Sequence, residues 1–245
     1  MRLEVEGLVV RRGGAAAVDG VSFTAPSGHW CGVVGANGSG KTSLLRALAG
    51  RLEIEAGTIR VDGADRTADR AWRARHIGFA PEIAALPAAL TGAEIFSVAA
   101  PGWRDEVRSK RLSGLREALA FDPFLHKRIG ALSAGMRQRL AVFCAFLRAP
   151  AAAILDEPFN WLDPVCAYDT RAALRALVDE GLTLCTALHE TAALVGYCDE
   201  GLLMSEGRVG RMLSEADLER GRRDYSGFEK EMIAVLRALG GPARR

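Results

Sequence analysis

The stretch Gly35–Thr42, GANGSGKT, decides the fold of this chain. It completes the pattern G-x-x-x-x-G-K-[ST] between the apolar run Trp30–Val34 and the helix-forming residues SLLRALAG, which predicts a strand, a glycine-rich loop and a helix. The backbone N–H groups of such a loop, with the positive end of the following helix, hold phosphate oxygens. A turn that merely links strand to helix is the alternative, and the flanking elements argue against it. We therefore expect this stretch to bind a nucleoside triphosphate.

The residue types in the loop match the parts of that ligand. Lys41 is placed to reach the β- and γ-phosphates, and we count it among the catalytic residues. Thr42 brings a hydroxyl to the coordination shell of the Mg²⁺ that bridges the same phosphates. The predicted nucleotide-binding residues of the loop are Gly35, Asn37, Gly38, Ser39, Gly40, Lys41, Thr42 and Ser43.

Length and charge limit the other possibilities. A chain of 245 residues is long enough for one large domain, or for a domain with a smaller inserted one. The formal net charge of +2 gives no general attraction to nucleic acid, which we exclude as a partner. The basic clusters Arg104–Arg116 and Arg220–Arg223 lie among acidic residues, and we interpret them as solvated helix faces.

Cysteine usage and hydropathy predict the compartment. Five scattered cysteines without a C-x-x-C spacing argue against disulfides and zinc sites and favour a reducing cytosol. The amino-terminal MRLEVEGLVV lacks the regions of a signal peptide, and no apolar run approaches the length that spans a bilayer. We therefore expect a cytoplasmic protein, with any membrane-spanning part supplied by another chain.

The segments before residue 82 predict a sheet. Leu3–Val10 and Val21–Ala25 are β-type runs separated by turn residues, which indicates an antiparallel start. Gly57–Val61 and His76–Ala80 predict two more strands. From about residue 82 to 150, alanine and leucine dominate and helical spacing replaces the strands, as in Val107–Ala120, so we expect an inserted helical subdomain there.

An alternating pattern of strands and helices follows the insertion. Ser133 is a candidate N-cap for a helix that we expect to run to about Arg148. Ala151–Leu155 and Leu182–Leu188 predict buried parallel strands, and Ser226–Leu239 predicts an amphipathic terminal helix. The whole predicts an α/β fold: a P-loop NTPase (RecA-like) core with an antiparallel β subdomain and an inserted helical subdomain, in residues 1–213, and a helical tail in residues 214–245.

Three polar residues follow the ends of predicted strands. Asp156 is placed to bind Mg²⁺ directly or through water, and an ordinary strand-end acid is its alternative interpretation. Glu157, beside the metal, is the candidate general base, with helix capping as the alternative. His189 is placed to hydrogen-bond the γ-phosphate and water through neutral imidazole, and the alternative is a structural histidine.

These motifs, in this order, resemble the ATP-binding cassette family, the ATPase subunits of ABC transporters, from the first strand to about Leu213. GANGSGKT corresponds to Walker A, AAAILDEP to Walker B, LSAGM to the signature motif, Asn160–Asp163 to the D-loop and His189 to the switch histidine. The resemblance implies that the chain binds ATP and Mg²⁺ and hydrolyses ATP. It also implies a peripheral position on the inner face of the cell membrane, through a permease subunit on a separate chain.

The resemblance further implies a second nucleotide-binding subunit. In this family the helix headed by Ser133 and Gly135 meets the γ-phosphate held by the other subunit, so that ATP joins a head-to-tail homo- or heterodimer. A plain helix cap is compatible with the same motif. By the same resemblance Asp163, in the D-loop, counts among the nucleotide-binding residues.

Five positions depart from the family pattern. Ala134 replaces a glycine of the signature, where a methyl is costly if the backbone needs φ > 0, and Met136 replaces its usual glutamine. Glu82 stands at the Q-loop position and is kept as a predicted Mg²⁺ ligand. Arg12 stands where an aromatic often stacks on adenine, and a guanidinium plane also stacks. Trp161 replaces a small D-loop residue, and the sequence does not explain it.

The direction of transport and the class of ATPase have alternatives. Pro81–Glu82 and the residues GMRQRL resemble ABC-2 type exporters more than nutrient importers, and LSAG with DEPF also resembles the ATPase of haem exporters. The segment after Glu82 is the expected docking place of the permease, with Leu86 and Leu90 as apolar contacts or as core residues. The alternatives are an importer ATPase, a soluble non-transport ABC ATPase, and a P-loop kinase or GTPase, which would leave LSAGM unexplained.

Overall fold

The structure is a computed structural model that describes residues 1–104 and 109–239. Its strands are β1 (Leu3–Arg12), β2 (Ala15–Ala25), β3 (Trp30–Gly35), β4 (Ala56–Val61), β5 (Ala64–Asp65), β6 (Ile77–Phe79), β7 (Ala152–Asp156), β8 (Thr183–Leu188), β9 (Glu200–Ser205) and β10 (Arg208–Leu213). Its α-helices are α1 (Lys41–Leu48), α2 (Arg70–His76), α3 (Gly92–Ala99), α4 (Ser113–Leu119), α5 (Ala134–Cys144), α6 (Pro164–Asp179), α7 (Thr191–Tyr197), α8 (Glu215–Arg223) and α9 (Tyr225–Leu239). Short 3₁₀ turns cover Ile83–Ala85, Lys110–Leu112, Asp122–Phe124 and Ile129–Ala131.

The larger sheet has the strand order β10-β9-β3-β8-β7-β6. Its strands are parallel from β9 to β6, and β10 is antiparallel to β9. Every residue of β3 and β8 is buried, as expected for parallel strands covered on both faces. The carboxyl ends of β3, β7 and β8 therefore lie at one edge of the sheet, where ligands bind in folds of this type.

The smaller sheet is antiparallel, with the order β2-β1-β4-β5. Its apolar face packs against α1, and Leu8, Val18 and Ile59 share one buried cluster with Leu44 and Leu45 of that helix. The two sheets therefore enclose the helix that follows the glycine-rich loop, which fixes the position of the loop relative to β2.

The described residues between β6 and β7 contain helices and turns, with Thr91 and Arg128 forming an isolated bridge. An aromatic cluster forms the centre of this region: Phe96 packs edge-on against Trp103 and Phe121, and Phe121 lies 4.7 Å from Phe143 between ring centroids. Such rings contribute large buried areas with defined geometry. The predicted α/β core, with an antiparallel sheet and a helical insertion, is confirmed.

The two carboxyl-terminal helices pack onto the core. Leu218 of α8 and Phe228 and Met232 of α9 are buried in the same apolar cluster as the helical region. Arg222 of α8 donates to the carbonyl oxygens of Val195 (2.8 Å) and Cys198 (2.7 Å). The division of the chain into a nucleotide-binding domain, residues 1–213, and a helical tail, residues 214–245, stays a prediction.

Local differences from the sequence-based expectations have clear causes. Strand β2 begins at Ala15 within the stretch expected to be a turn, because β1 pairs with it along most of its length. Helix α5 ends at Cys144 instead of about Arg148. The sequence did not predict α2 or α7, which have seven residues each, whereas α8 lies in the stretch that was predicted to be a helical tail. Part of the predicted helix Val107–Ala120 lies outside the described residues. Within the described ranges, no helix has the length and apolar content needed to cross a membrane.

Candidate nucleotide site

The glycine-rich loop is held by its neighbours on three sides. The Ser39 amide donates to the Ala36 carbonyl oxygen (3.1 Å), and the Gly207 amide, in the β9–β10 turn, donates to the Ser39 carbonyl oxygen (3.0 Å). A Cβ at Gly35 would overlap the Met204 carbonyl oxygen, and one at Gly40 would overlap the backbone of β2. The sequence needs glycine at both positions because backbone from other strands lies against the loop.

Helix α1 presents uncapped amides to this loop. The N-cap residue Gly40 has φ 101° and no side chain to accept from the first turn. The amides of Lys41, Thr42 and Ser43 belong to the first turn, so they have no acceptor within the helix. The first turn also carries the positive end of the helix dipole. This geometry fits a bound phosphate.

Lys41 is buried and turned back onto the loop. Its Nζ donates to the carbonyl oxygens of Gly35 (2.7 Å) and Ala36 (3.1 Å). Burial lowers the pKa of this ammonium, while the carboxylates of Glu157 and Asp156 act in the opposite direction. An anion bound in the loop would further favour the charged ammonium, because a nearby opposite charge stabilises it.

Asp156 ends β7 and carries a buried carboxylate oxygen, Oδ1, for which the described residues offer no hydrogen-bond partner. Burial raises the pKa of this carboxyl, and the Thr42 side chain, Arg46 and Lys41 oppose the increase. A buried oxygen without a partner is costly unless a ligand satisfies it. Asp156 and Thr42 supply the hard oxygen donors that Mg²⁺ prefers, so these residues fit the ion.

Glu157 lies between two donors. Its Oε1 is 2.7 Å from Nε2 of His189, and its Oε2 accepts from Nδ2 of Asn160 at 2.8 Å. An ionised carboxylate can only accept hydrogen bonds, so Nε2 of His189 carries the proton in this contact. Glu157 has φ 50°, a conformation in which L residues are uncommon. The backbone thus turns sharply after β7 and directs the carboxylate toward the end of β8.

The predicted catalytic residues are brought to one edge of the larger sheet. Strand β8 lies between β3 and β7, and its last residue, Leu188, directly precedes His189. Asp156 and Glu157 end the neighbouring strand, and Lys41 follows the loop after β3. The sequence predicted this proximity from three separate strand ends, and the 2.7 Å contact between Glu157 and His189 gives its geometry.

The signature residues lie at the start of α5. The Ser133 hydroxyl accepts from the Met136 amide (3.2 Å) as the N-cap, and Ser133 is exposed. Ala134 has no positive φ, so its methyl introduces no backbone strain here. A Cβ at Gly135 would lie 2.6 Å from the Trp161 carbonyl oxygen, so the D-loop lies against the start of α5. No hydrogen bond in the described part of the chain joins Ser133 to the glycine-rich loop.

The D-loop residues have structural roles within the chain. Asp163 is the N-cap of α6, since its Oδ1 accepts from the Cys166 amide (2.9 Å). Its Oδ2 lies 2.7 Å from Nη2 of Arg139, and the Cys166 amide is the main cause that lowers its pKa. The structure therefore places Asp163 as a helix cap, and its predicted contact with nucleotide stays a prediction. Trp161 has φ 67° and is exposed.

Two predicted site residues lie away from the loop. Glu82 forms an ion pair with Arg46, one helical turn after Thr42 on α1. Its role as a Mg²⁺ ligand stays a prediction. Arg12 is exposed at the end of β1, next to the β1–β2 turn. Its stacking on a base stays a prediction.

Sequence reasoning missed a cationic groove of about 910 Å³ beside the site. Apolar side chains of the helical region line one part of it, including Leu86 and Leu90. Arg51, Arg75 and Arg148 line another part, as do Arg46 and Glu82. Burial lowers the pKa of Arg51, and the positive charge of Arg148 adds to the effect. The arginines are scattered over residues 46–148, so no local sequence pattern shows the cluster.

Comparison with known proteins finds ATP-binding proteins of ABC transporters. The family model described as ABC transporter matches residues 18–160. The chain is 35% identical over 217 residues to a hemin import ATP-binding protein of Pseudomonas entomophila, covering 84% of each chain. It is 34% identical to the Nod factor export ATP-binding protein I of Ralstonia nicotianae, covering 84% of this chain and 65% of that protein. Against several such relatives the chain spans about two thirds of their length.

Solved structures share the fold. The structure of an ATP-binding subunit of an ABC transporter superposes with a TM-score of 0.81 at 24% identity, covering 96% of this chain and 99% of that one. A dimeric ATP-binding cassette in a post-hydrolysis state, bound to ADP and phosphate, gives a TM-score of 0.76 at 19% identity, covering 87% of this chain and 98% of that one. At these identities the likeness supports the arrangement of the strands and helices.

Proposed function

The chain belongs to the ABC transporter family as an ATP-binding, ATP-hydrolysing subunit, and we propose that it drives export through a separate permease. One observation carries the enzymatic part: the loop amides, Lys41, Asp156 and the Glu157–His189 pair meet at one edge of the sheet. That arrangement offers a phosphate cradle, a metal donor and a base in a single place. We further propose that two such subunits act as a dimer on the inner face of the membrane.

The loop and Lys41 bind the phosphates in the proposed mechanism. Lys41 gives up its bonds to the loop carbonyls and donates to the β- and γ-phosphate oxygens, so its charge is neutralised by the ligand instead of by backbone dipoles. Thr42 and Asp156 would hold Mg²⁺, and a bound Mg²⁺ would supply positive charge that offsets the charge of the phosphates. The uncapped amides at the start of α1 hold the remaining oxygens.

Glu157 and His189 act on the attacking water. Glu157 orients the water and accepts its proton, as a carboxylate beside the metal donors is placed to do. His189 donates from Nε2, the atom that now contacts Glu157, to the γ-phosphate. Asn160 keeps its bond to the other carboxylate oxygen and fixes the direction of Glu157.

The site is completed by a second subunit in this proposal. Ser133 and Gly135 bind no part of their own loop through hydrogen bonds in the described residues, and Ser133 is exposed at the start of α5. A helix start of this kind attracts the γ-phosphate of a nucleotide held by the partner. The second subunit is either an identical chain or a related one.

The cationic groove is the proposed contact with the permease. It combines an apolar part with Arg51, Arg75 and Arg148, so it fits an amphipathic helix that carries a carboxylate. Burial and, to a smaller extent, the charge of Arg148 lower the pKa of Arg51, and a docked carboxylate would offset the repulsion between these two arginines. A soluble ATPase without a permease leaves this groove without an occupant.

Export is the proposed direction, and import is the second candidate. The Nod factor relative and a daunorubicin/doxorubicin resistance ATP-binding protein are named for export or resistance, and Pro81–Glu82 with GMRQRL resembles ABC-2 exporters. Import is favoured by the hemin relative, of which the chain covers 84% at 35% identity. The permease, which would form the pathway across the membrane, would determine the substrate class.

Mixing two inactive variants tests the proposed dimer. Lys41→Ala damages the glycine-rich loop, and Ser133→Arg damages the signature. In a mixed dimer both lesions fall on one composite site and leave the second site intact. Equal mixing gives about half heterodimers, each with one good site of two, so roughly a quarter of wild-type turnover should return if sites are independent.

Each variant alone serves as the control and should remain inactive. Mixed dimers are followed with differently tagged chains, so that dimerisation is measured separately from phosphate release. ATP-induced mixed dimers that recover neither hydrolysis nor occluded nucleotide would refute the composite site. Recovery of turnover would exclude a site made within one chain.

A further inference from the structure

Large exposed apolar side chains are concentrated in two places on this protein. Seven such residues occur in the described chain, and three of them lie in the D-loop or in the helix that follows it: Trp161 (68% exposed), Val165 (70%) and Tyr168 (61%). We call these three the aromatic strip. Val165 and Tyr168 lie three residues apart in α6, so they share one helix face. Contiguous exposed apolar surface of this kind marks interaction sites.

The second place is a groove beside the glycine-rich loop, which we call the tail groove. Its volume is about 620 Å³, and it lies between residues 34–37, the start of α7 and helix α9. Two further exposed apolar residues, Tyr225 and Ile233, line it, together with Leu236. The strip and the groove thus account for five of the seven exposed large apolar residues in the described ranges.

Hydrogen bonds hold α9 in position to form this groove. The hydroxyl of Tyr225 lies 2.9 Å from that of Thr191, the first residue of α7, and it donates to Oε1 of Glu229 at 2.8 Å. Thr191 comes two residues after His189, which also lines the groove. The tail helix is therefore tied to the segment that carries the proposed phosphate-binding histidine.

The strip and the groove border the two surfaces that must meet in a composite site. Trp161 lies against the start of α5 through its carbonyl oxygen, which is close to Gly135, so the strip continues the signature surface. The groove includes Gly35 and Asn37, so it continues the surface of the glycine-rich loop. In a two-fold dimer, the signature surface of each copy faces the loop surface of the other. The strip of each copy then lies next to the groove of the other, so the contact occurs twice.

We propose that the aromatic strip of one copy of this chain packs into the tail groove of a second copy when nucleotide closes the dimer. The inference rests on the proposed function, because closure is what brings the two surfaces together. It gives Trp161 and helix α9 a common role, which is to bury apolar area around the nucleotide. Aromatic side chains that fill a pocket dominate the energy of such interfaces.

Cross-linking between copies tests the contact directly. One chain carries Tyr168→Cys and a differently tagged chain carries Ile233→Cys, both with Glu157→Gln to retain ATP. The native Cys144, the only free cysteine of the described chain that is not buried, is changed to alanine in both. With Mg²⁺, ATP and a short bismaleimide, we expect a cross-linked heterodimer only when the two chains are mixed. A chain with Met212→Cys, exposed outside strip and groove, replaces the Tyr168→Cys chain as the matched control.

Dimer affinity gives a second, independent measurement. Tyr168→Ser and Ile233→Ser each remove an exposed side chain, so both variants should fold, which circular dichroism checks. Loss of one interface anchor typically weakens binding about tenfold, and each contact occurs twice, so the dissociation constant of the ATP dimer should rise about a hundredfold. ATP binding by the monomer should not change, and Met212→Ser should leave the dimer unaffected.

The results separate this inference from the proposed function. If Tyr168→Ser and Ile233→Ser form the ATP dimer with the same affinity as the Glu157→Gln parent, and the cysteine pair does not cross-link, the strip and the groove do not meet. The composite site is not affected by that result. If the parent forms no ATP dimer with itself, the contact between two copies of this chain is refuted, while a composite site formed with a related chain is not. ATP-dependent cross-linking together with weaker dimerisation of both variants supports the contact.

Discussion

Replacing Glu157 with glutamine gives the sharpest test of the site. The amide keeps the shape of the side chain but removes its charge and places an NH₂ group toward either His189 (2.7 Å) or Asn160 (2.8 Å), both of which now donate to the carboxylate. One donor then faces another donor. The loss of one such hydrogen bond in a partly exposed position costs about 1 kcal/mol of unfolding free energy, so the variant should remain folded.

The expected loss of activity is much larger than this loss of stability. A positioned general base contributes about 10² to 10⁴ in rate, which corresponds to roughly 3 to 5 kcal/mol of activation free energy. Binding of ATP should persist, because the uncapped amides of α1 and the ammonium of Lys41 are unchanged. We therefore expect turnover to fall at least a hundredfold while an ATP-bound dimer accumulates.

Phosphate release under saturating Mg²⁺-ATP measures the turnover, and light scattering with and without ATP measures the dimer. Glu180→Gln, an exposed carboxylate at the carboxyl end of α6, is the matched control and should retain full activity. Turnover of Glu157→Gln within about threefold of wild type would remove Glu157 as the base. Loss of ATP binding in this variant would instead assign Glu157 to binding.

Three more predictions test single features. Asp156→Asn should unfold at the same or a higher temperature than wild type without ligand, and should lose the stabilisation by Mg²⁺-ATP, as measured by thermal unfolding. Burial raises the pKa of Asp156 above its ordinary value of 3.8, so protonation of this carboxyl stabilises the fold fully below pH 3.8, and this stabilisation is lost as the pH rises through the raised pKa. If wild type unfolds at a higher temperature than Asp156→Asn near neutral pH without ligand, the interpretation of Asp156 as a buried carboxylate that needs a ligand is wrong. Gly35→Ala should cost about 1 to 3 kcal/mol of unfolding free energy because its methyl overlaps the Met204 carbonyl oxygen, whereas Gly114→Ala, with open space around it, should be neutral or slightly stabilising in urea unfolding. If Arg12 holds the base by stacking alone, ATP and GTP should compete within a few-fold of each other, and a preference beyond about a hundredfold in competition binding would refute that role.

The meeting of the proposed catalytic residues at one edge of the sheet could be predicted because each of them belongs to a pattern that is local in sequence. The loop between β3 and α1 follows from one motif, and Asp156, Glu157 and His189 follow from the apolar runs that precede them. Parallel strands place their carboxyl ends at one edge of the sheet, so the shared edge could be predicted, whereas the order of the strands could not. The contact between Glu157 and His189 could not be predicted, because it depends on φ 50° at Glu157 and on β8 lying next to β7.

The contacts that sequence reasoning missed are those between distant segments with weak local signals. Glu82 and Arg46 are 36 residues apart, and their ion pair depends on which face of α1 points toward the helical region. The groove arginines are similarly dispersed. Helix α7 was missed because it is short and because its burial comes from packing against α8 and α9 instead of from a clear apolar period.

The chain holds several functional groups on internal partners: Lys41 on loop carbonyls, Glu157 on His189, and Glu82 on Arg46. Arg46 lies between the groove and Asp156, because it pairs with Glu82 on one side and, on the other, its charge opposes the increase that burial causes in the pKa of Asp156. Thr42 and Arg46 are four residues apart on α1 and therefore lie on the same helix face. A carboxylate that enters the groove and competes for Arg46 therefore changes the electrostatic field at Asp156. Arg46 is therefore the side chain that the groove and the Asp156 carboxyl share.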